Sequence, residues 1–258
     1  MLRGIIAGAL AVLCSVSSAA SGENVTFAGK TTSDNPLTLT GILAKADGDG
    51  PFPAVVLLHG CSGIRPLYRA WVARLVVWGY VALQVDSFNP RGKTYICDKL
   101  LAISSFERAK DAHAAKAYLA GLPFVRGDRI AVLGWSHGGS ATLEAVNNPP
   151  SVERWADPFR VAVAFYPWCW SAIHRPDAPL LILIGERDDW TPAGLCRNMR
   201  VKGETLHSVS LKVYPGAHHG FDFEGLNLDR EGHHLEHDPV ASTDAIKRVK
   251  DFLAQHLR

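Results

Sequence analysis

Residues 134–139 read Gly-Trp-Ser-His-Gly-Gly, between an apolar run at 129–133 and a helical stretch at 138–146. A serine flanked by glycines at a strand-to-helix turn suits nucleophilic chemistry. Such a turn holds the serine in a strained backbone conformation, and bulky neighbours would clash. The Ser136 hydroxyl is thereby exposed at a helix start, where backbone N–H groups can stabilise a substrate oxyanion. A serine hydroxyl is a weak nucleophile until a base takes its proton and an acid orients that base.

Both partners are available downstream in the order Ser, acid, His. The apolar run 180–184 leads into Gly185-Glu186-Arg187-Asp188-Asp189-Trp190-Thr191-Pro192, which offers Asp188 or Asp189, with Glu186 the weaker acid candidate. The run 209–213 leads into Tyr214-Pro215-Gly216-Ala217-His218-His219-Gly220-Phe221, which offers His218 or His219 as the base. A second oxyanion donor is expected from the loop after the first parallel strand, His59-Gly60-Cys61-Ser62-Gly63. The expected pair of donors is the backbone N–H of Cys61 and of His137.

These residues need a frame that brings several loops together. Segments 25–30 and 37–46 alternate enough for an opening antiparallel hairpin, and 47–53 is a Gly/Asp/Pro turn. Continuous apolar runs follow at 54–58, 80–85, 129–133, 161–165, 180–184 and 209–213, as expected for strands buried on both faces. Helical stretches fall between them at 68–78, 103–119 and 138–146, and 239–257 closes the chain as an amphipathic helix. The alternation implies an α/β fold, a mostly parallel central sheet with helices on both faces, in one domain spanning 21–258; the glycine-flanked serine at a strand-to-helix turn and the order Ser, acid, His make the expected type that of an α/β-hydrolase. Sites in such sheets lie beyond the C-terminal ends of the strands, where each candidate above is placed.

The 258 residues carry a formal charge of +2 without a basic run, so no nucleic-acid partner is expected. Residues 1–20 read as an export signal: Arg3, a short apolar stretch at 4–16, then Ser18-Ala19-Ala20 for cleavage. The stretch is shorter than the roughly 20 apolar residues a spanning helix needs, so no stable membrane insertion is expected. The expected location is therefore periplasmic or secreted. Four cysteines then remain, and an even count in an oxidising compartment favours two disulfides. Of the three pairings, Cys61–Cys97 and Cys169–Cys196 join loops after neighbouring strands. His233, His234 and His237 with Glu231, Glu236 and Asp238 sit in a polar loop before the last helix; no metal is expected there, and no cofactor elsewhere.

With these stretches in hand, the chain resembles the dienelactone hydrolase family. The resemblance rests on Leu57-Leu58-His59-Gly60-Cys61-Ser62-Gly63, Val85-Asp86-Ser87-Phe88, Gly134 to Gly139, Gly185 to Pro192 and Ala217-His218-His219-Gly220-Phe221. It implies Asp188 as the acid, three residues after the strand-end glycine and four before a proline. It implies His219 as the base, followed by a small residue and Phe. The family's founding members use a cysteine nucleophile and bind a substrate carboxylate with arginines. Here the nucleophile is serine, and Arg91 sits near one arginine position but offset. After His219 no arginine stands where a second would be, so the namesake substrate is not expected. Trp135, Trp168, Trp170 and Trp190 follow strands on the site side, and Trp135 and Trp190 are expected to contact substrate. The sequence thus points to a serine hydrolase of carboxylic esters or lactones working through an acyl-enzyme on a small molecule. The alternatives are a non-catalytic exported binding protein on the same fold, or a serine peptidase. Oligomeric state leaves no trace in the sequence.

Overall fold

The structure, a computed structural model, describes residues 22–31, 33–151 and 155–258. The expected export signal lies outside the described residues. Eight strands form the main sheet: β1 (Glu23–Lys30), β2 (Pro36–Ala44), β3 (Phe52–Leu58), β4 (Val81–Asp86), β5 (Val125–Trp135), β6 (Val161–Phe165), β8 (Leu180–Gly185) and β10 (Val209–Tyr214). Their order is β1-β2-β4-β3-β5-β6-β8-β10. The hairpin β1–β2 is antiparallel and β2 runs antiparallel to β4, while every pairing from β4 to β10 is parallel. All six residues of β4 and of β8 and all five of β6 are buried, which requires cover on both faces.

That cover comes from α1 (Leu67–Val77), α2 (Ser105–Ala120), α3 (His137–Ala145) and α5 (Pro239–Leu257). Helix α2 begins at a capping box in which Ser104 Oγ accepts from the Glu107 N–H while Glu107 accepts from the Ser104 N–H, a device worth about 1 kcal/mol. Helix α5 starts at Asp238, whose carboxylate accepts from the N–H groups of Val240 and Ala241, with Pro239 filling the first turn. Ala241, Ala245, Val249, Leu253 and Leu257 recur every fourth residue and are buried, so one stripe of this helix closes the core. α1 and α5 meet where Lys250 Nζ lies 5.8 Å from the Trp78 ring.

Register aligns the loops that matter. Leu58 is level with Gly134, Gly134 with Ala164, Ala164 with Ile182, and Tyr214 with Gly185. The exits of β3, β5, β6, β8 and β10 therefore open at one end of the sheet.

Smaller elements were not legible as such. The polar segment before α5 is a hairpin, β11 (Asn227–Arg230) with β12 (His233–Glu236), tied to the site by a bridge between Leu235 and His219. A two-stranded parallel pair joins β7 (Ala172–His174) to β9 (Arg200–Lys202), and a short α4 (Ala193–Asn198) follows the Asp188 loop. Both expected disulfides are present, Cys61–Cys97 and Cys169–Cys196. No helix among the described residues is long and apolar enough to cross a membrane.

Candidate active site

Ser136 sits at the turn from β5 to α3 with φ 54° and ψ −120°. A left-handed φ on a non-glycine residue is strained. The neighbouring glycines explain why the strain is tolerated. A Cβ on Gly134 would lie 2.2 Å from the Gly138 carbonyl oxygen, and one on Gly138 would lie 2.1 Å from that of Leu58. Only glycine lets α3 start this close to the ends of β3 and β5. The Ser136 N–H donates to the Phe165 carbonyl at 2.9 Å, and its own carbonyl accepts from the Ser140 N–H at 2.8 Å.

The structure brings Ser136, His219 and Asp188 into one hydrogen-bonded line. His219 Nε2 is 3.0 Å from Ser136 Oγ, and His219 Nδ1 is 2.8 Å from Asp188 Oδ2. A carboxylate only accepts, so the imidazole proton resides on Nδ1 and Nε2 is left to accept from the serine. Asp188 is itself fixed: Oδ1 accepts from the N–H groups of Trp190 (3.0 Å) and Thr191 (2.7 Å), and Oδ2 accepts from Thr191 Oγ1 (2.9 Å). Both Asp188 and His219 are 3% exposed, so water competes little for these bonds. The neighbours that the sequence left open stand elsewhere. Asp189 is half-exposed and faces His233 at 3.5 Å. His218 meets the His234 ring edge-on at 4.8 Å.

Cys61 lines the cavity above Ser136 and His137 opens α3 beside it. Their loops are braced by Arg108, a fully buried residue the sequence reading passed over. Its guanidinium donates to the His59 carbonyl at 2.6 Å and to His137 Nδ1 at 2.9 Å. An arginine cannot accept, so His137 carries its proton on Nε2, which faces the Leu100 carbonyl at 3.1 Å. Burial and the Arg108 charge hold the His137 imidazole down at about 3, while burial lowers Arg108 itself to about 10. Tyr68 Oη accepts from the Gly60 N–H at 2.7 Å and completes the loop's anchoring.

Beneath the site lies a second unanticipated group. The buried Asp222 carboxylate accepts from Trp71 Nε1 (2.8 Å), Trp135 Nε1 (2.9 Å) and Tyr166 Oη (2.7 Å). Burial raises its carboxyl pKa, and the three donors oppose that rise. Tyr166 has φ 35°, and its ring lies 4.5 Å from that of His219. A positive φ on a tyrosine leaves no mark in the sequence.

The expected substrate contacts divide. Trp190 borders the cavity at Ser136, with its ring 5.2 Å from His219. Trp135 also borders it, but its side chain is fully buried and its indole N–H is committed to Asp222. Arg91 does not reach the cavity. Its fork donates to both oxygens of buried Asp111 at 2.9 Å and to the Ser87 carbonyl, because a planar guanidinium matches a carboxylate two bonds at a time. The cations that do line the cavity are Arg65 and Arg230, from the loop before α1 and the β11–β12 hairpin. Neither stands in a motif that sets it apart from other exposed arginines in the sequence.

Among the described residues one group could offer three ligand atoms to a cation: His218, His234 and Glu236, within 4.8 Å of one another. His234 already faces Asp229 (2.8 Å) and Glu236 (3.3 Å) through its two ring nitrogens. Those carboxylates raise its proton affinity, led by the bond to Asp229.

A sequence model of the dienelactone hydrolase family matches residues 39–257. A probable 2-oxo-3-(5-oxofuran-2-ylidene)propanoate lactonase of Bradyrhizobium is 25% identical over 235 residues, covering 83% of this chain and 88% of that protein. A dienelactone hydrolase-like promiscuous phosphotriesterase from metagenomic libraries superposes with a TM-score of 0.69 at 17% identity, covering 92% of this chain and 100% of that one. The dienelactone hydrolase of Anabaena variabilis gives 0.62 at 18% identity, covering 92% and 100%. At these identities the solved structures speak to the fold alone.

Proposed function

Because the chain belongs to the dienelactone hydrolase family, whose members are ester- and lactone-cleaving hydrolases, we propose that it works as a serine hydrolase through Ser136, His219 and Asp188. The observation that carries this reading is the continuous line from Asp188 Oδ2 through both nitrogens of His219 to Ser136 Oγ. His219 takes the serine proton through Nε2 as Oγ attacks the substrate carbonyl carbon. The imidazolium that forms lies 2.8 Å from the Asp188 carboxylate, and the developing oxyanion is held by the N–H groups of Cys61 and His137. His219 then gives the proton to the departing alkoxide, and an acyl group remains on Ser136. Water deprotonated by His219 attacks that acyl group and regenerates the serine. No step requires a metal or an organic cofactor.

Arg65 and Arg230 beside Phe223, Leu226 and Leu235 give the cavity a cationic rim on an apolar floor. The substrate class that fits is a small ester or lactone bearing a carboxylate, which a guanidinium pairs bidentately. This restores an anion-binding role that Arg91 cannot fill. The test is labelling with a fluorophosphonate together with p-nitrophenyl acetate turnover. Ser136→Ala is expected to lose both; labelling that persists in the Ser136→Ala protein overturns the assignment, as does an unmodified protein that neither labels nor turns over ester.

A further inference from the structure

Ser136 stands between two cavities. One, of about 330 Å³, carries Arg65, Arg230 and His219. The other, of about 430 Å³, is walled by Leu100, His137, Trp168 and Pro192, with Asp189 and His233 at its border. Ser136 and Trp190 are the two residues that border both. Each volume falls in the range of about 300–1,000 Å³ typical of small-molecule sites.

Both walls of the second cavity are pinned. Leu100 follows Cys97, which is bonded to Cys61, and its carbonyl faces His137 Nε2. Trp168 precedes Cys169, which is bonded to Cys196 in α4, and the Trp168 N–H donates to Ser140 Oγ at 2.9 Å. Held by these bonds, Trp168 remains 48% exposed and Leu100 39% exposed. Large apolar groups fixed in the open at a nucleophile have a use when a ligand covers them.

A lactone keeps both sides of its scissile bond in one ring, so one cavity at Oγ is enough for it. An open-chain ester has an acyl arm and an alcohol arm that diverge from the carbonyl carbon and need separate room. His219 must protonate the alkoxide oxygen, and His219 borders only the first cavity. The alcohol arm therefore belongs there. Resting on the serine-hydrolase reading above, we infer that the second cavity is an acyl subsite, and that this protein takes open-chain esters with an apolar or aromatic acyl arm packed against Trp168 and Leu100.

The chemistry balances as for any ester. Oγ bonds the carbonyl carbon, the carbon–alkoxy bond breaks, the alcohol leaves with the serine's proton, and water later frees the acid from the acyl-enzyme.

The experiment compares kcat/KM for p-nitrophenyl acetate, butyrate and phenylacetate, which share one alcohol, and for the lactone dihydrocoumarin. Proteins tested are the unmodified chain, Trp168→Ala, which trims a half-exposed side chain, and Leu100→Trp, which narrows the cavity. Unmodified protein should prefer phenylacetate over acetate and over the lactone. Trp168→Ala should reduce phenylacetate turnover roughly tenfold and acetate less than twofold, as expected for loss of one apolar contact face. Leu100→Trp should penalise phenylacetate most. Equal effects of both variants on all acyl lengths overturn the inference, and so does a preference for the lactone that both variants leave intact. Absence of turnover of all three esters and of the lactone in the unmodified protein would instead sink the serine-hydrolase reading, so the two failures are distinct.

Discussion

Replacing Asp188 by Asn should do more harm than removing its side chain. In the native site Oδ1 receives two backbone N–H groups, from Trp190 and Thr191, and Oδ2 receives His219 Nδ1–H and Thr191 Oγ1. A carboxamide must place its NH₂ at one of these positions. At the Oδ1 position it would face two N–H donors and orphan both, at about 1–3 kcal/mol each. At the Oδ2 position it can donate to Thr191 Oγ1, whose own proton then turns to the Tyr166 carbonyl 3.1 Å away. There it also donates to His219 Nδ1, which moves the imidazole proton to Nε2 and points it at Ser136 Oγ. The base is then blocked in its stable state. Restoring the working tautomer costs about 2–6 kcal/mol from the two orphaned N–H groups, before the lost stabilisation of the imidazolium is counted. The expected loss in kcat for p-nitrophenyl acetate is on the order of 10⁴-fold, or about 5.4 kcal/mol. Asp188→Ala leaves either tautomer free and should retain more activity than Asp188→Asn, although it removes more atoms. An Asn protein within tenfold of the unmodified one, or faster than the Ala protein, would refute the tautomer argument. A matched control is Asp189→Asn, which keeps the size of an exposed side chain that faces His233 and borders the second cavity, and which should leave kcat for p-nitrophenyl acetate within twofold.

Three further outcomes concern buried groups. Arg108→Leu removes the brace between the His59 carbonyl and the His137 ring; steady-state kinetics should show kcat falling roughly 10- to 100-fold with KM changed much less, because the proposed oxyanion donors would act mainly in the transition state. Asp222→Ala strips one acceptor from two indole N–H groups and a phenol. At about 1–3 kcal/mol per orphaned donor, urea unfolding should reveal a loss of several kcal/mol. For pH, burial holds His113 at about 4 and His137 at about 3 in the fold, against about 6.5 in an unfolded chain. The unfolded state therefore binds more protons below pH about 6.5, and stability present above that value declines as pH falls toward the folded values. By pH 5 the loss should be on the order of 2 kcal/mol per imidazole, read from denaturation midpoints at pH 7.5 and 5, and His113→Gln should flatten part of the slope.

The frame and the tight turn at Ser136 were legible because both are local patterns. Uninterrupted apolar runs such as 161–165 and 180–184 mark strands covered on both faces, and glycines around Ser136 mark a turn with no room for a Cβ. Strand order made the two disulfides readable, since the pairs join loops of adjacent strands. What stayed hidden depends on contacts between distant residues. Asp222 lies 151 positions from Trp71, and nothing in Phe221-Asp222-Phe223 announces three donors converging on it. Arg91 and Arg65 look alike in sequence. Only packing decides that one is consumed by Asp111 while the other faces the cavity. The β11–β12 hairpin was read as a polar loop because its strands, with few buried side chains, lack the apolar signature of the main sheet.

The two disulfides tie the loops around Ser136 to different parts of the molecule. The bridge at Cys61 holds a proposed oxyanion donor within a small satellite cluster, while the bridge at Cys169, next to Trp168, is part of the main core. Reduction is therefore expected to reach turnover through the first bridge and stability through the second, which activity and unfolding measured with and without reductant would separate.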